Sequence, residues 1–353
     1  MRMRHSHPKH RLITVIVLAL FTFGSLSLAH AQGFAYATIN LDNVHRLEEV
    51  ISFEVITSGA RGISSIAVSP DDTLVGLGMR DGTARLWSLH SRTEVFVLRR
   101  HESAVNAVAF TRDGATLVSA STDRTIRHWD VTTGQEVPNS VMGPARAAVM
   151  CLTFSPNGQW MASGSIDNLV SLWNAHTGDR EKVFSGHDGA VLSVAFSPDS
   201  TILASTGVDK TVRLWDVQTR REIAVLRGAR NQLMSVAFSP DRTLIAAGDR
   251  ALPRSTIYLW DAFTGEPVGQ IDQISGQLAS MAFSPDGTLL AVGAGSGTVE
   301  LWDVFSQTRV RVLATPGASR DDLVTSVTFS DDGTLLAWTS GLNRVSVGAV
   351  PLN

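Results

Sequence analysis

Two stretches of this 353-residue chain set a histidine, a serine and an aspartate at the same offsets. His187 is followed by Ser205, Asp209 and Trp215, and His101 by Ser119, Asp123 and Trp129. These are the residue types of nucleophilic acyl transfer, in which a hydroxyl attacks, an imidazole takes its proton and a carboxylate orients the imidazole. A catalytic centre is needed once, whereas a structural network is needed in every copy of a repeated unit. Recurrence at identical spacing, beside a tryptophan and within strand-forming sequence, assigns both sets to the scaffold. Other chemistry is weaker still. His101-Glu102 lacks the second histidine of a zinc-protease helix, and no Gly-x-Ser-x-Gly elbow occurs. Gly293-Ala294-Gly295-Ser296-Gly297 has phosphate-loop composition, but it joins two strand-like runs where a nucleotide site needs a following helix. No catalytic residue, metal site or cofactor is assigned.

The elements that position these residues come from an internal repeat. Seven apolar, β-branched runs end in a turn, and their penultimate apolar positions are Val68, Phe110, Phe154, Phe196, Phe238, Phe283 and Phe329, spaced by 42 to 46 residues. A second series, Trp87, Trp129, Trp173, Trp215, Trp260 and Trp302, accounts for six of the eight tryptophans, and Gly348 stands at the seventh position. Between the anchors each unit reads strand, turn, strand, turn, strand, with Ser197-Pro198-Asp199-Ser200 typical of the first turn. A fourth strand such as Arg221 to Leu226 follows the tryptophan. Four short strands cannot bury both faces of one sheet, so each unit must pack on its neighbours.

The motifs Gly186-His187, Ser197-Pro198-Asp199, Asp209 and Leu214-Trp215-Asp216 resemble those of the WD-repeat family. The resemblance runs from about Asp42 to Val350. It implies an all-β fold, a seven-bladed β-propeller of four-stranded antiparallel blades. A TolB-like propeller shares the Ser-Pro-Asp-Gly turn but lacks the Leu-Trp-Asp ending. By resemblance, Asp209 accepts from His187, His187 is linked to Ser205, and Ser205 meets the Trp215 indole; His101, Ser119, Asp123 and Trp129 form the second such tetrad. The third blade keeps Ser163, Asp167 and Trp173 without the histidine, and the first keeps only Asp81 and Trp87.

Composition bounds the rest. Arg2, Arg4, Lys9 and Arg11 precede an apolar run from Leu12 to Leu28 and then Ala29-His30-Ala31, the pattern of a cleavable signal peptide over residues 1–31. An uncleaved membrane anchor is the alternative. Loss of four basic and no acidic residues takes the formal charge from −3 to −7, which argues against a nucleic-acid partner. The expected location is periplasmic or extracellular, with no stable membrane insertion after cleavage. The single cysteine, Cys151, excludes an intramolecular disulfide and is expected to be buried.

Residues 32–50 read as a lead-in and 51–353 as the propeller. The last unit has only three strands, so the N-terminal strand 51–57 is expected to complete it and join the chain ends. Thr38-Ile39-Asn40-Leu41 competes with Arg344 to Ala349 for the third-strand position. Extra length falls at residues 139–147, 249–255 and 314–322, in loops that emerge on one face of a propeller. That face carries Arg61, Arg80, Arg146, Arg230, Arg250, Arg254 and Arg320 among Glu102, Asp188, Asp321 and Asp322, with Met150, Leu192 and Met234 near the central opening. Arginines hold carboxylates bidentately. The expected function is a monomeric, noncatalytic scaffold that binds a protein or peptide partner through extended or acidic segments. The alternatives are a propeller enzyme of lactonase or hydrolase type and a binder of carbohydrate or envelope polymer.

Overall fold

The computed structural model describes residues 36–56, 62–138, 140–143, 145–295, 297–314, 323–340 and 343–352. Residues 1–31, with the expected leader, lie outside them. The described strands form seven antiparallel sheets, each running from an inner to an outer strand. Blade 1 is Ile63–Val68, Leu74–Met79, Thr83–Ser88 and Thr93–Arg99. Blades 3 to 6 follow the same plan, with inner strands Val149–Phe154, Val191–Phe196, Leu233–Phe238 and Ser280–Phe283. The chain is thus the seven-bladed propeller that its repeats imply.

The turn after each inner strand explains why the sequence folds this way. In blade 4 the Ser197 hydroxyl donates to Asp199 at 2.6 Å, Asp199 accepts from the Thr201 N–H and hydroxyl, and Ser197 Oγ takes the Ile202 N–H at 2.9 Å. The same Ser-to-Asp bond recurs at Ser69–Asp71, Ser239–Asp241, Ser284–Asp286 and Ser330–Asp332, and blades 2 and 3 use Thr111–Asp113 and Ser155–Asn157. Each hairpin therefore satisfies its own reversal before it meets a neighbour.

Blades join through apolar seams and a few polar stitches. Blade 7 packs Leu335, Ala337, Val345, Val347 and Ala349 against Ile63, Val75, Leu77 and Met79 of blade 1, which closes the ring. Serines on inner strands accept from the next blade's backbone: Ser65 from Val108, Ser193 from Val236, Ser235 from Met281 and Ser280 from Val327.

Blade 7 is built from both ends of the chain. Its strands are Val324–Phe329, Leu335–Ser340 and Arg344–Pro351, with Glu48–Glu54 antiparallel on the last. The outer strand begins three residues ahead of Ile51, and its leading Glu48 and Glu49 are exposed. The Arg344 strand supplies the third position. Thr38-Ile39-Asn40-Leu41 instead follows a two-residue strand, Tyr36–Ala37, that pairs with Val350 and Pro351. The segment read as a lead-in belongs to the core, because Ile39, Val44 and Leu47 are buried in the seam between blades 6 and 7. Trp338 fills the room over Gly348: a Cβ on that glycine would lie 3.3 Å from the Trp338 ring. The seventh blade has moved its tryptophan to the adjacent strand.

Blade 2 departs from the four-strand plan. It has Val105–Phe110, Thr116–Ser121 and Ile126–Asp130, and among the described residues only isolated bridges at Glu136 and Met142 stand where a fourth strand is expected. Pro138 lies inside the segment and removes a donor, and Gly143 adopts a positive φ of 136°, so a continuous ladder cannot form.

Candidate functional site

The two sets of His, Ser, Asp and Trp are each drawn together. In blade 2, His101 Nδ1 lies 2.7 Å from Asp123 Oδ2 and Nε2 lies 2.8 Å from Ser119 Oγ, which also accepts from Trp129 Nε1–H at 2.8 Å. In blade 4 the corresponding distances are 2.8 Å from His187 to Asp209, 2.7 Å from His187 to Ser205 and 2.8 Å from Trp215 to Ser205. One assignment of protons satisfies each chain: indole N–H to serine oxygen, serine O–H to Nε2, and Nδ1–H to carboxylate. The aspartates also take the next backbone N–H, from Glu102 and Asp188, at 3.1 Å.

This is the connectivity of a catalytic triad, and burial decides against that use. Ser119 and Ser205 are 0 % exposed, and an indole N–H already occupies each Oγ. A substrate carbonyl has no route to the oxygen. Burial works against ionising Asp123, yet bonds from Thr125 and His101 overcome it and hold the carboxyl at about 2. Burial lowers the His101 pKa despite the neighbouring Asp123, which favours neutral imidazole. Burial also pushes the Cys151 thiol up to about 12, so it is no nucleophile at neutral pH.

Other blades satisfy the tryptophan differently. In blade 3, Trp173 donates to Ser163 at 2.9 Å without a histidine. Blade 6 uses the buried Glu300, which accepts from Trp302 at 3.1 Å and from Arg309 at 3.2 Å. Blade 1 has no acceptor for the Trp87 indole among the described residues. There Phe53 of the closing strand stacks on Trp87 at 4.4 Å, and the buried Arg85 bonds Asp81, Glu94 and the Ile56 carbonyl. The spacing of anchors gave no signal for Glu300 or Arg85, because neither follows the serine pattern.

The long-loop face is organised around blade 5. Asp249 is 1 % exposed and accepts from Thr256 N–H at 2.8 Å, Asn231 Nδ2 at 3.0 Å and the Tyr258 hydroxyl at 3.3 Å. Tyr258 in turn takes the Arg230 N–H at 3.1 Å. This buried hub ties the loop after the second strand to the loop before the first and sets Arg230, Arg250 and Arg254 on the rim. Arg250 donates to Gln277 and Arg254 to Gln273, at 2.8 and 3.0 Å.

Arg80, Arg146, Arg230, Arg250 and Arg254 are all exposed, and none forms an ion pair with a described residue. Partly buried arginines elsewhere are paired, Arg127 with Glu136 at 2.6 Å, Arg213 with Glu222 at 2.8 Å and Arg220 with Glu181 at 2.7 Å, whereas exposed Arg92, Arg99, Arg124, Arg180, Arg221 and Arg227 also form no ion pair with a described residue. Arg61, Arg320, Asp321 and Asp322 lie outside the described residues. Met150, Leu192 and Met234 are half-buried at the starts of adjacent inner strands. Met234 is partly absorbed by the seam to blade 6, so it offers less apolar floor than its position suggests.

The family model of the WD domain, G-beta repeat, matches residues 52–88 and 92–130, and that of the IFT122 first beta-propeller matches residues 148–347. The chain belongs to the WD-repeat β-propeller family. Among curated relatives of this WD-repeat chain, NACHT domain- and WD repeat-containing protein 1 of Mus musculus is 35% identical over 81 residues, 23% of this chain and 5% of that protein. Periodic tryptophan protein 2 of Arabidopsis thaliana is 35% identical over 68 residues, 19% of this chain and 8% of that protein. The chain therefore matches only a small part of either relative.

Proposed function

We propose that this WD-repeat propeller is an exported, noncatalytic interaction scaffold that captures acidic, extended segments of a protein partner on its long-loop face. The observation that carries this reading is the set of five exposed arginines gathered on the long-loop face without a carboxylate partner among the described residues. A guanidinium without an internal carboxylate keeps donors for a bidentate bond to an incoming one, even where, as at Arg250 and Arg254, one nitrogen is bonded to a glutamine. The Asp249 hub holds three of these arginines on a fixed frame, which lowers the ordering cost of binding. Export rests on the basic and apolar character of residues 1–31.

Arg146, Arg230 and Arg250 replaced together by Glu tests the face. Binding of a fluorescent glutamate-rich peptide, read by anisotropy, is expected to weaken by at least ~100-fold, since three charge-assisted contacts become repulsions. The melting temperature should stay within a few degrees. Retained affinity in a folded variant rejects the arginine face. Export has its own test, a fusion of residues 1–31 to a reporter active only outside the cytoplasm.

A further inference from the structure

In blades 1 to 5 the first residue after the second strand has one backbone task. Its N–H bonds to the carbonyl just before the first strand: Arg80 to Gly62 at 3.1 Å, Thr122 to Ala104 at 2.9 Å, Ile166 to Ala148 at 3.1 Å, Val208 to Ala190 at 3.0 Å and Arg250 to Gln232 at 3.0 Å. Arginine, threonine, isoleucine and valine serve this bond alike, so the fold leaves the side chain free. The position lies on the long-loop face, where loops from second to third strand and from fourth to first emerge together.

Blades 3 and 4 place an exposed aliphatic side chain there, Ile166 at 50 % and Val208 at 41 %. Blade 5 has Arg250 in that place, and its longer loop sets Leu252 just beyond at 72 % exposure. Single exposed aliphatics are ordinary on any surface; three in successive blades, in corresponding loops of one face, form a row. Cations interleave with it. Lys210 follows Val208 by two residues, Arg250 and Arg254 flank Leu252, and Arg146 and Arg230 stand in the loops that enter blades 3 and 5, all exposed. Asp188 is the one exposed acid among the described residues of the same loops. Asp209 is engaged by His187 and the Thr211 N–H, and Asp167 by the Leu169 N–H.

Neighbouring blades pack as stacked sheets about 10 Å apart, and an extended chain advances about 3.3 Å per residue. One apolar residue in three therefore keeps step with the row and leaves the two between for the cations. We infer that the segment captured on this face is amphipathic: an extended chain whose aliphatic residues cover Ile166, Val208 and Leu252, with carboxylates between them on Lys210, Arg230, Arg250 and Arg254. This rests on the acidic-segment reading and adds the apolar half of the partner's chemistry. A bilayer suits the row less well. Ile166 and Val208 are half covered and do not gather with Leu252 into one projecting tip, and Asp188 opposes an anionic lipid surface.

The test is anisotropy on the full chain with two labelled peptides of equal length and charge, repeats of Leu-Glu-Glu and of Ser-Glu-Glu. The leucine peptide should bind at least ~tenfold more tightly, since its contacts remove apolar surface from water on both partners. Ile166, Val208 and Leu252 replaced together by Ser should erase that preference and leave the affinity for the serine peptide unchanged, with Tm within a few degrees. Equal affinity of the unsubstituted chain for both peptides overturns the amphipathic inference and leaves the arginine face standing, whereas absence of binding by either rejects both. A preference that persists in the triple variant also overturns it. So does sedimentation with phosphatidylglycerol vesicles that depends on the same three side chains, which assigns the row to a bilayer.

Discussion

At the scale of single residues, the tetrads show how a chain with no disulfide fixes the position of its largest side chains. Asp209→Ala strips the acceptor from the buried His187 ring at Nδ1 and from the backbone N–H groups of Asp188 and Thr211. It is expected to cost about 2–4 kcal/mol in denaturant unfolding. Ser163→Ala in blade 3 removes one bond to Trp173 and should cost about 1 kcal/mol. Equal costs for the two would show that the histidine and aspartate add nothing beyond the indole contact. These residues were legible in the sequence because they recur at fixed offsets. Glu300 and the Tyr258–Asp249 pair were not, because what they satisfy is decided by neighbours across strands rather than by spacing along the chain.

At the scale of elements, the Ser-Pro-Asp turns and the tryptophan series together specified strand order, hairpin register and blade number. The outer strands were harder to read. They carry exposed Val95, Val183, Ile223 and Val268 on one side, so their apolar pattern is weak, and in blade 2 Pro138 and the positive φ of Gly143 together interrupt the strand. The closing strand matters more than its length suggests. Phe53 stacks on Trp87 of the next blade and Ser52 accepts from Arg344, so Glu48–Glu54 holds two blades at once. Removing residues 1–56 is expected to lower Tm by ~10 °C or more, as loss of several kcal/mol does in a domain of this size. A melt unchanged by the deletion would falsify that role.

At the scale of the whole molecule, the seam between blades 7 and 1 sets a dependence on pH. Burial, reinforced by the carboxylates of Asp332 and Asp331, pushes the Asp72 carboxyl up to about 7 from an ordinary 3.8. In between, the folded chain holds a proton that the unfolded chain has released, so stability falls as pH rises from about 4 to about 7, by up to about 1.4 kcal/mol per pH unit. Asp72→Asn should flatten that slope in melts taken from pH 4.5 to 8; an unaltered slope places its origin elsewhere. Asp123, held at about 2, acts in the other direction, and its contribution is lost only as pH falls from about 4 toward 2. The same seam unites the two termini. A nonsense codon that removes the last ten residues deletes Arg344–Pro351 and also strands Glu48–Glu54, which has no other partner strand among the described residues. Damage at one terminus is therefore felt at the other, and amide exchange in residues 48–54 reports whether the C-terminus is intact.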